Sequence, residues 1–404
     1  MSGDDTTVPA APRGRPPAVL QIVPSLVSGG AERGTVELAA ALVEAGWTSY
    51  VASSGGPLEQ DIVRAGARHL TLPLASKNPL VMRRNTRALV ELIWQLNIDL
   101  VHARSRAPAW CAWAAVRATS CRFVTTFHNA YGARTALKRR YNSVMARGER
   151  VIAISHFVAD HAATVYGVDR DRLRIIPRGV DLASFDPTRI GAQRMIALAH
   201  QWRVPDDVPV VMLPGRLTRW KGALDLIPAI AALGRRDLCC LLVGAEQRRG
   251  FRKELDAAIE GRGLGALFRI VGDCRDMPAA YMLADVVVSA SRDPEGFGRV
   301  IVEAQAMGRP VVATDHGGAR ETIMPGATGW LVPPRDPDAL AAAIGEALSL
   351  AVEERERLAK RTIAHVAAHF TREAMCAHTI EVYEELLFPH VRAFRETVAA
   401  VAVA

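Results

Sequence analysis

The sequence predicts an α/β protein of two doubly wound domains, and three observations predict it. Short apolar runs alternate with helical segments from residue 19 to residue 180, each run apolar enough for a strand buried on both faces. The alternation stops over 181–209, where turn signals at Asp186-Pro187 and Pro205-Asp206 replace it. It resumes from 210 to 332. Alternation of this kind implies parallel sheets, right-handed crossovers and helices on both faces.

In the first half the expected strands are 19–24, 49–53, 69–72, 100–102, 123–127, 151–154 and 173–176. The first is followed by a Ser28-Gly29-Gly30 turn and an amphipathic helix over 31–45 that stops at Gly46. In the second half strands are expected at 210–213, 239–243, 269–271, 286–289, 311–313 and 329–332, with helices at 223–233, 252–261, 279–283 and 299–307. After Pro334 the pattern is helical throughout, over 338–350, 352–369 and 372–398. No strand remains in the second domain for the last helix to cover, so it is expected to cross back and brace the first. The domains are therefore a disordered tail (1–17), a first domain (18–187), a second (188–370) and a bracing helix (371–404). Two doubly wound domains facing each other would leave a cleft between their strand ends.

A chain of 404 residues is too long for one average domain. Half of its residues are hydrophobic and 23% are charged, which suits a soluble globular protein. Six cysteines (Cys111, Cys121, Cys239, Cys240, Cys274, Cys376) form no CxxC pair and no histidine-spaced cluster, so neither a metal site nor a disulfide framework is expected. No run of 18 apolar residues exists, and the first 17 residues lack the apolar stretch of a signal peptide. A cytoplasmic protein is the expectation. Charge is uneven: residues 1–190 carry 24 Lys+Arg against 15 Asp+Glu, and the remainder 26 against 27. A basic first half and a neutral second half suggest different partners for each. Nucleic acid is not among those expected.

The richest segment is Glu295-Gly296-Phe297-Gly298-Arg299-Val300-Ile301-Val302-Glu303. Glu295 falls on a loop at the carboxyl end of an apolar strand, and Glu303 falls inside the helix that follows. Ligands of open α/β sheets bind at such strand ends. The glycines leave room for a ligand at a helix N-terminus, which favours phosphate. The second domain opens on Gly215-Arg216-Leu217-Thr218-Arg219-Trp220-Lys221-Gly222. Arg216 offers a planar fork for phosphate oxygens and Lys221 a point charge. The motif is not a P-loop, and it also reads as a solvated basic loop. Gly29 and Gly30 let a ligand approach the backbone, but the GxGxxG fingerprint is absent, which argues against a dinucleotide. His128 and Ser155 each follow a strand, and Ser155 also reads as a simple N-cap.

Taken in order, these motifs resemble the retaining glycosyltransferases of glycosyltransferase family 4 (group 1). The carriers are Gly29-Gly30-Ala31-Glu32-Arg33, His128, Ile176-Pro177-Arg178-Gly179-Val180-Asp181, Gly215-Arg216 with Lys221-Gly222, and the Glu295/Glu303 pair. The resemblance spans residues 19–342 and implies the GT-B architecture, two Rossmann-like domains facing across a cleft. It implies a nucleotide-diphosphate-sugar donor, no metal and no other cofactor. Arg216 and Lys221 would bind the diphosphate, Glu303 the ribose, and Glu295 the transferred sugar beside the Phe297 and Gly298 amides. Gly29 and Gly30 would lie against the diphosphate and the acceptor, Gly215 would lie along the donor, and His128 would bond its sugar. Arg178 departs from the family's common asparagine. No first-domain carboxylate sits on an obvious nucleophile motif, so retention is expected by front-face attack, with the departing phosphate taking the acceptor's proton.

The acceptor is expected to be a cell-surface glycan or lipid-linked saccharide of the lipopolysaccharide type. Arg104 and Arg106, in His102-Ala103-Arg104-Ser105-Arg106, suit an acidic acceptor, with Ser155 on the same side. From Arg134 to Arg147 a basic amphipathic helix, with Leu137, Tyr141, Val144 and Met145 on one face, would suit peripheral contact with an anionic membrane, and equally an ordinary core-facing helix with a solvated basic face. Two alternatives stand beside the transferase: a nucleotide-sugar epimerase of the same fold, and a silent nucleotide-sugar-binding subunit.

Overall fold

A computed structural model describes residues 14–27, 29–247 and 249–389. Most of the tail expected at 1–17, Ser28, and the last helix from residue 390 onward lie outside the described residues. The chain divides into two compact units.

The first unit holds a seven-stranded sheet of β1 (Ala18–Ile22), β2 (Thr48–Ser53), β3 (Arg68–Thr71), β4 (Leu100–Ala103), β5 (Arg122–Phe127), β6 (Arg150–Ala153) and β7 (Leu173–Ile175). Their order is β3-β2-β1-β4-β5-β6-β7 and every pairing is parallel. The second unit holds β8 (Val210–Pro214), β9 (Cys239–Val243), β10 (Phe268–Val271), β11 (Val286–Ser289), β12 (Val311–Thr314) and β13 (Trp330–Val332). Their order is β10-β9-β8-β11-β12-β13, again all parallel. Both are Rossmann-like sheets whose order reverses once, beside β1 and β4 in the first and beside β8 and β11 in the second. Central strands are buried from end to end, which is why they read as continuous apolar runs.

The stretch between the two alternations contains a short 3-10 turn (Pro187–Arg189) and one helix, Ala192–Trp202, closed by Arg203 in the left-handed conformation. Contacts divide the units at Ile176/Pro177, ahead of the expected 187/188. The cause is local: Val180 N–H donates to the Phe370 carbonyl, and a Cβ on Gly179 would lie 2.3 Å from the Thr371 carbonyl oxygen. Asp181 pairs with Arg372 and accepts from the Ser184 hydroxyl. The Gly179-Val180-Asp181 motif is thus structural, tying 177–185 to the strand-like crossing at Thr371.

Residues 375–389 group with the first unit. The helix Arg372–Leu387 is anchored there by polar side chains as well as by its core face of Met375, Cys376, Val382 and Leu386. Tyr383, fully buried, shares a 2.6 Å hydrogen bond with His102 Nδ1, and His102 Nε2 bonds the Thr126 hydroxyl at 2.7 Å. Glu385 accepts from Arg150 (2.8 Å) and Arg174 (2.7 Å). Burial, aided by Arg104, holds His102 well below the usual imidazole range, so it is neutral.

One expected element is corrected. The helix expected from Arg134 to Arg147 is a seven-residue helix, Ala136–Asn142, followed by a 3-10 turn, Ser143–Arg147. The change of winding splits its proposed apolar face: Leu137 is 79% exposed, while Val144 and Met145 are fully buried. Arg147 lies over the Trp113 ring.

Replacing Tyr383 with Phe strips the partner from buried His102 Nδ1 and is expected to cost about 1–3 kcal/mol. Urea unfolding of Tyr383→Phe against wild type measures this; an unchanged midpoint would contradict the anchoring role.

Candidate functional site

The best-defined constellation lies in the second unit at the reversal between β8 and β11, where open α/β sheets take ligands. Beyond β8 the chain turns at Gly215 (φ +124°), passes Arg216 and winds through a 3-10 turn, Arg219–Lys221, into the helix Ala223–Ala232. Gly222 (φ +79°) starts that helix; a Cβ there would lie 1.7 Å from the Ala290 carbonyl oxygen, so the two loops meet backbone to backbone. Beyond β11, Ser291 to Gly298 lead into the helix Arg299–Ala306, with Gly298 at φ +88°.

The two loops are locked together by charge. Lys221 Nζ bonds Glu295 Oε1 at 2.8 Å, with side chains only 12% and 14% exposed. Ser291 Oγ donates to the same carboxylate oxygen. Burial alone would raise Glu295, but Lys221, Ser291 and neighbouring His316 outweigh it and hold the carboxyl below its usual range. Lys221 also sits 4.6 Å from the Trp220 ring centroid. One turn further on, Arg292 grips buried Asp225 through two bonds of 2.7 and 2.6 Å, and its N–H donates to the Trp220 carbonyl. This bidentate pair fixes the register of the loops from the other side.

Arg216 differs from Lys221. It is exposed and has no side-chain hydrogen bond or ion pair among the described residues. A guanidinium held at a strand end without a carboxylate is ready for an external anion. Glu303 lies on the helix, where Oε1 accepts from Arg299 (2.7 Å) and Oε2 from the buried Tyr281 hydroxyl (3.0 Å). Each oxygen keeps a second lone pair, so the carboxylate retains acceptor capacity for a diol. Phe297 is buried, its ring edge-on to Phe370 at 5.5 Å.

The remaining candidates fall elsewhere. Gly29 stands before the helix Gly30–Glu44 and has no side-chain cap; Glu32 lies close by. His128 follows β5 and its N–H reaches the Tyr131 hydroxyl at 3.4 Å. Arg106 stacks over Tyr131 at 4.5 Å and bonds Asn142. Arg104 is only 4% exposed, bonds the Gln21 side chain at 3.2 Å, and has no ion pair among the described residues; its Nε is buried without a partner. Burial pulls its pKa down. Ser155, which groups with the second unit, donates to the Gly296 carbonyl at 2.6 Å. The backbone N–H groups of His156 and Phe157 are taken by Glu321.

Several contributors escaped the sequence reading. Asp225 and Arg292 are 67 residues apart and have no local pattern. Ser291 and His316 look like ordinary loop residues. Gly317 and Gly318 did carry a signal, being a Gly-Gly pair after a strand as at Gly29-Gly30. A Cβ on Gly318 would lie 2.4 Å from Phe297 Cα, and Gly318 N–H donates to the Glu295 carbonyl at 2.9 Å. Among the described residues no cluster of three His, Cys, Asp or Glu is placed to hold a metal ion.

Two Rossmann-like units with a charged loop at the sheet reversal define a protein of the GT-B class. A family model described as Glycosyltransferase Family 4 matches residues 28–184, and one described as Glycosyl transferases group 1 matches 197–365. A solved glycosyltransferase from Rickettsia africae is 37% identical, covering 92% of this chain and 99% of that one, with a TM-score of 0.85. The chain belongs to glycosyltransferase family 4, the group 1 glycosyltransferases. Among curated relatives, a D-inositol 3-phosphate glycosyltransferase of Xylanimonas cellulosilytica is 33% identical over 60% of this chain; the match spans 58% of that relative's length. The Anabaena protein Alr3699/HepE, solved with UDP and glucose, is 23% identical and shares the fold with a TM-score of 0.81, covering 91% of this chain and 99% of its own.

Because Glu295 ionises more readily folded than unfolded, its stabilisation is complete above the ordinary carboxylate range near ~4.3. It is lost as pH falls through the lower folded value. The Tm gap between wild type and Glu295→Gln is therefore expected to be wide at neutral pH and to close in acid. A gap that stayed constant with pH would refute the ionised pair.

Proposed function

We propose that this chain transfers a glycosyl group from a nucleoside diphosphate sugar to an acceptor hydroxyl with retention and without a metal. The observation that carries this is the paired Lys221–Glu295 beside unpaired Arg216 at the β8/β11 reversal. The diphosphate is bound by Arg216 and Lys221, the ribose diol by Glu303, and the sugar by Glu295. Gly29, Gly30, Gly215, His128, and the Phe297 and Gly298 amides complete the expected donor contacts. Attack on the anomeric carbon breaks its bond to the β-phosphate oxygen and forms one to the acceptor oxygen. The acceptor's proton goes to the departing phosphate, whose growing charge the two cations offset. Glu295, ionised and bonded to Lys221, is a poor general acid, which supports leaving proton transfer to phosphate. UDP and glucose in the Anabaena neighbour suggest the donor class to test first.

For the acceptor, buried Arg104 at the end of β4, which has no ion pair among the described residues, supports an anionic group such as a phosphate. Inositol 3-phosphate, named for the curated relatives, and a phosphorylated lipopolysaccharide-type or lipid-linked saccharide both satisfy it. The exposed Leu137 flanked by Lys138, Arg139 and Arg140 supplies the chemistry for peripheral attachment at an anionic membrane. Co-sedimentation with anionic vesicles at low salt is expected to bind wild type and to lose most of that binding in Leu137→Glu. Equal binding by both would remove this attachment.

A thermal-shift screen over UDP-, GDP-, ADP- and TDP-sugars tests the donor, since a ligand at about 100 times its Kd stabilises by roughly 2.7 kcal/mol. Arg216→Ala is the cleaner catalytic variant, because Lys221→Ala also strands a buried carboxylate. It is expected to lower transfer by about 10²–10³-fold with Tm unchanged. Turnover at the wild-type rate would overturn the assignment.

A further inference from the structure

The strand β2 ends at Ser53, and the loop Ser54-Gly55-Gly56 that follows runs on to the helix Glu59–Arg64. The chain after β1 lies along this loop. Leu26 N–H donates to the Gly55 carbonyl at 2.9 Å, and the Leu26 carbonyl accepts from Leu58 N–H at 3.1 Å. Just before it, the Pro24 carbonyl accepts from Ser54 N–H at 2.9 Å. A Cβ on Gly56 (φ +147°) would lie 2.4 Å from the Leu26 carbonyl oxygen, so the two backbones touch. Leu26 leads on to Gly29 and Gly30, and the approach to those glycines therefore depends on the loop after β2.

Two side chains shape that loop, and one ring joins them. Ser53 Oγ accepts from Gly55 N–H at 2.9 Å, and Glu59 Oε1 accepts from Gly56 N–H at 2.5 Å. His69, on neighbouring β3, places Nε2 2.8 Å from Ser53 Oγ and Nδ1 3.4 Å from Glu59 Oε2. A carboxylate only accepts, so Nδ1 carries the hydrogen, and Nε2 takes the hydrogen of the Ser53 hydroxyl. Burial pulls His69 below the usual imidazole range against the pull of Glu59, so the ring is uncharged at neutral pH. On Glu59's helix, Asp61 and Arg64 pair with each other at 2.6 Å. Arg68 precedes His69 on β3 and leaves from the opposite face of the sheet, and β2 brings no charged side chain. A proton on Nε2 would make that nitrogen a donor. Fully buried Ser53 would then lose the acceptor of its own hydrogen.

We propose that His69 is a positioning residue for glycosyl transfer: the uncharged ring holds Ser53 and Glu59, they hold the loop after β2, and that loop holds the chain that presents Gly29 and Gly30 to the substrates. This rests on the reading of those glycines given above. The ring itself touches no substrate. It fixes where the backbone ahead of the glycines lies, and a small displacement there costs rate because the reacting groups must be held in place. Donor affinity rests mainly on Arg216, Lys221 and Glu303 of the second unit. The step that depends on His69 is the reaction of donor already bound.

Hydrogen–deuterium exchange first reads the peptides that hold Leu26 and Gly55 to Leu58. His69→Phe, which offers neither contact, is expected to lose about tenfold in protection there, with β8 to β13 unchanged. In wild type the same local loss is expected between about pH 7.5 and about pH 5, since the ring gains its proton only as pH falls below the ordinary value near ~6.5 and through its lower folded one. His69→Gln cannot take that proton and is expected to show no such loss. Hydrolysis of UDP-glucose, with water in the acceptor's place, is the second readout. Wild-type turnover is expected to fall over the same range while UDP-glucose affinity by calorimetry changes less than about twofold. Glu59→Gln, which removes the charge favouring the protonated ring, is expected to move that fall to lower pH. Should His69→Phe fail to fold, or wild type release no UDP, the exchange series of wild type against His69→Gln decides. Wild-type protection unchanged down to about pH 5, or the same loss in His69→Gln, would overturn the proposal. So would an acid fall in turnover that His69→Gln shares. These outcomes leave the donor reading standing, whereas wild type that binds none of the four nucleotide sugars removes that reading and this role together.

Discussion

The ion pair between Lys221 and Glu295 is the constraint around which the second unit's site is arranged. Taking both charges out of water is costly, and the interaction repays it only with close geometry and satisfied neighbours. Here the geometry is a 2.8 Å contact and the neighbour is the Ser291 hydroxyl on the same oxygen. The carboxylate that results is ionised and fixed. It can accept hydrogen bonds and lend negative charge, but it has no proton to give. Removing either partner would leave the other buried and uncompensated, so the loop after β8 and the loop after β11 share one fate.

Backbone geometry makes that pairing possible. Gly222 touches the chain beside Ala290, and Gly318 touches it beside Phe297, each at a spacing that admits no side chain. Asp225 and Arg292 then close the loops from the opposite flank with a bidentate contact. Such an arrangement holds its charged groups before any ligand arrives, and little ordering cost is left for binding. The helix Arg299–Ala306 begins at Gly298 in a left-handed conformation, which brings its first N–H groups next to the same loop.

Much of this was legible in the sequence because it depends on local period. All thirteen strands were expected within a few residues, since parallel strands buried on both faces leave an unmistakable apolar run. Arg216, Lys221 and Glu295 were legible because they sit next to glycine in loops that follow strands, and Glu303 because it falls in the helix that the Glu295 loop opens. What was not legible depends on partners far away in the chain. Nothing near Asp225 announces Arg292, and nothing near His102 announces Tyr383, 281 residues on. The segment from Arg134 to Arg147 misled for the converse reason. Its helical spacing is real on paper, but burial of Val144 and Met145 tightens the chain into a 3-10 turn and leaves Leu137 outside. Tertiary packing overrode local pattern there.

The fate of each cation separates structure from binding more clearly than its position in a motif does. Arg292 and Arg299 each meet a carboxylate within the fold, and their charge is spent on holding loops and helices in place; Lys221 meets one too, but its ammonium has three donors and keeps some for a ligand. Arg216 and Arg104 meet none among the described residues. For exposed Arg216 that is inexpensive, because water solvates it. For Arg104, at 4% exposure, burial is a cost that the Gln21 hydrogen bond and the nearby Glu37 and Glu32 charges offset only in part. An anion supplied from outside reduces that remaining cost, and so a buried guanidinium without an ion pair among the described residues is stronger evidence of a ligand than any of the exposed basic residues that give the first half its charge.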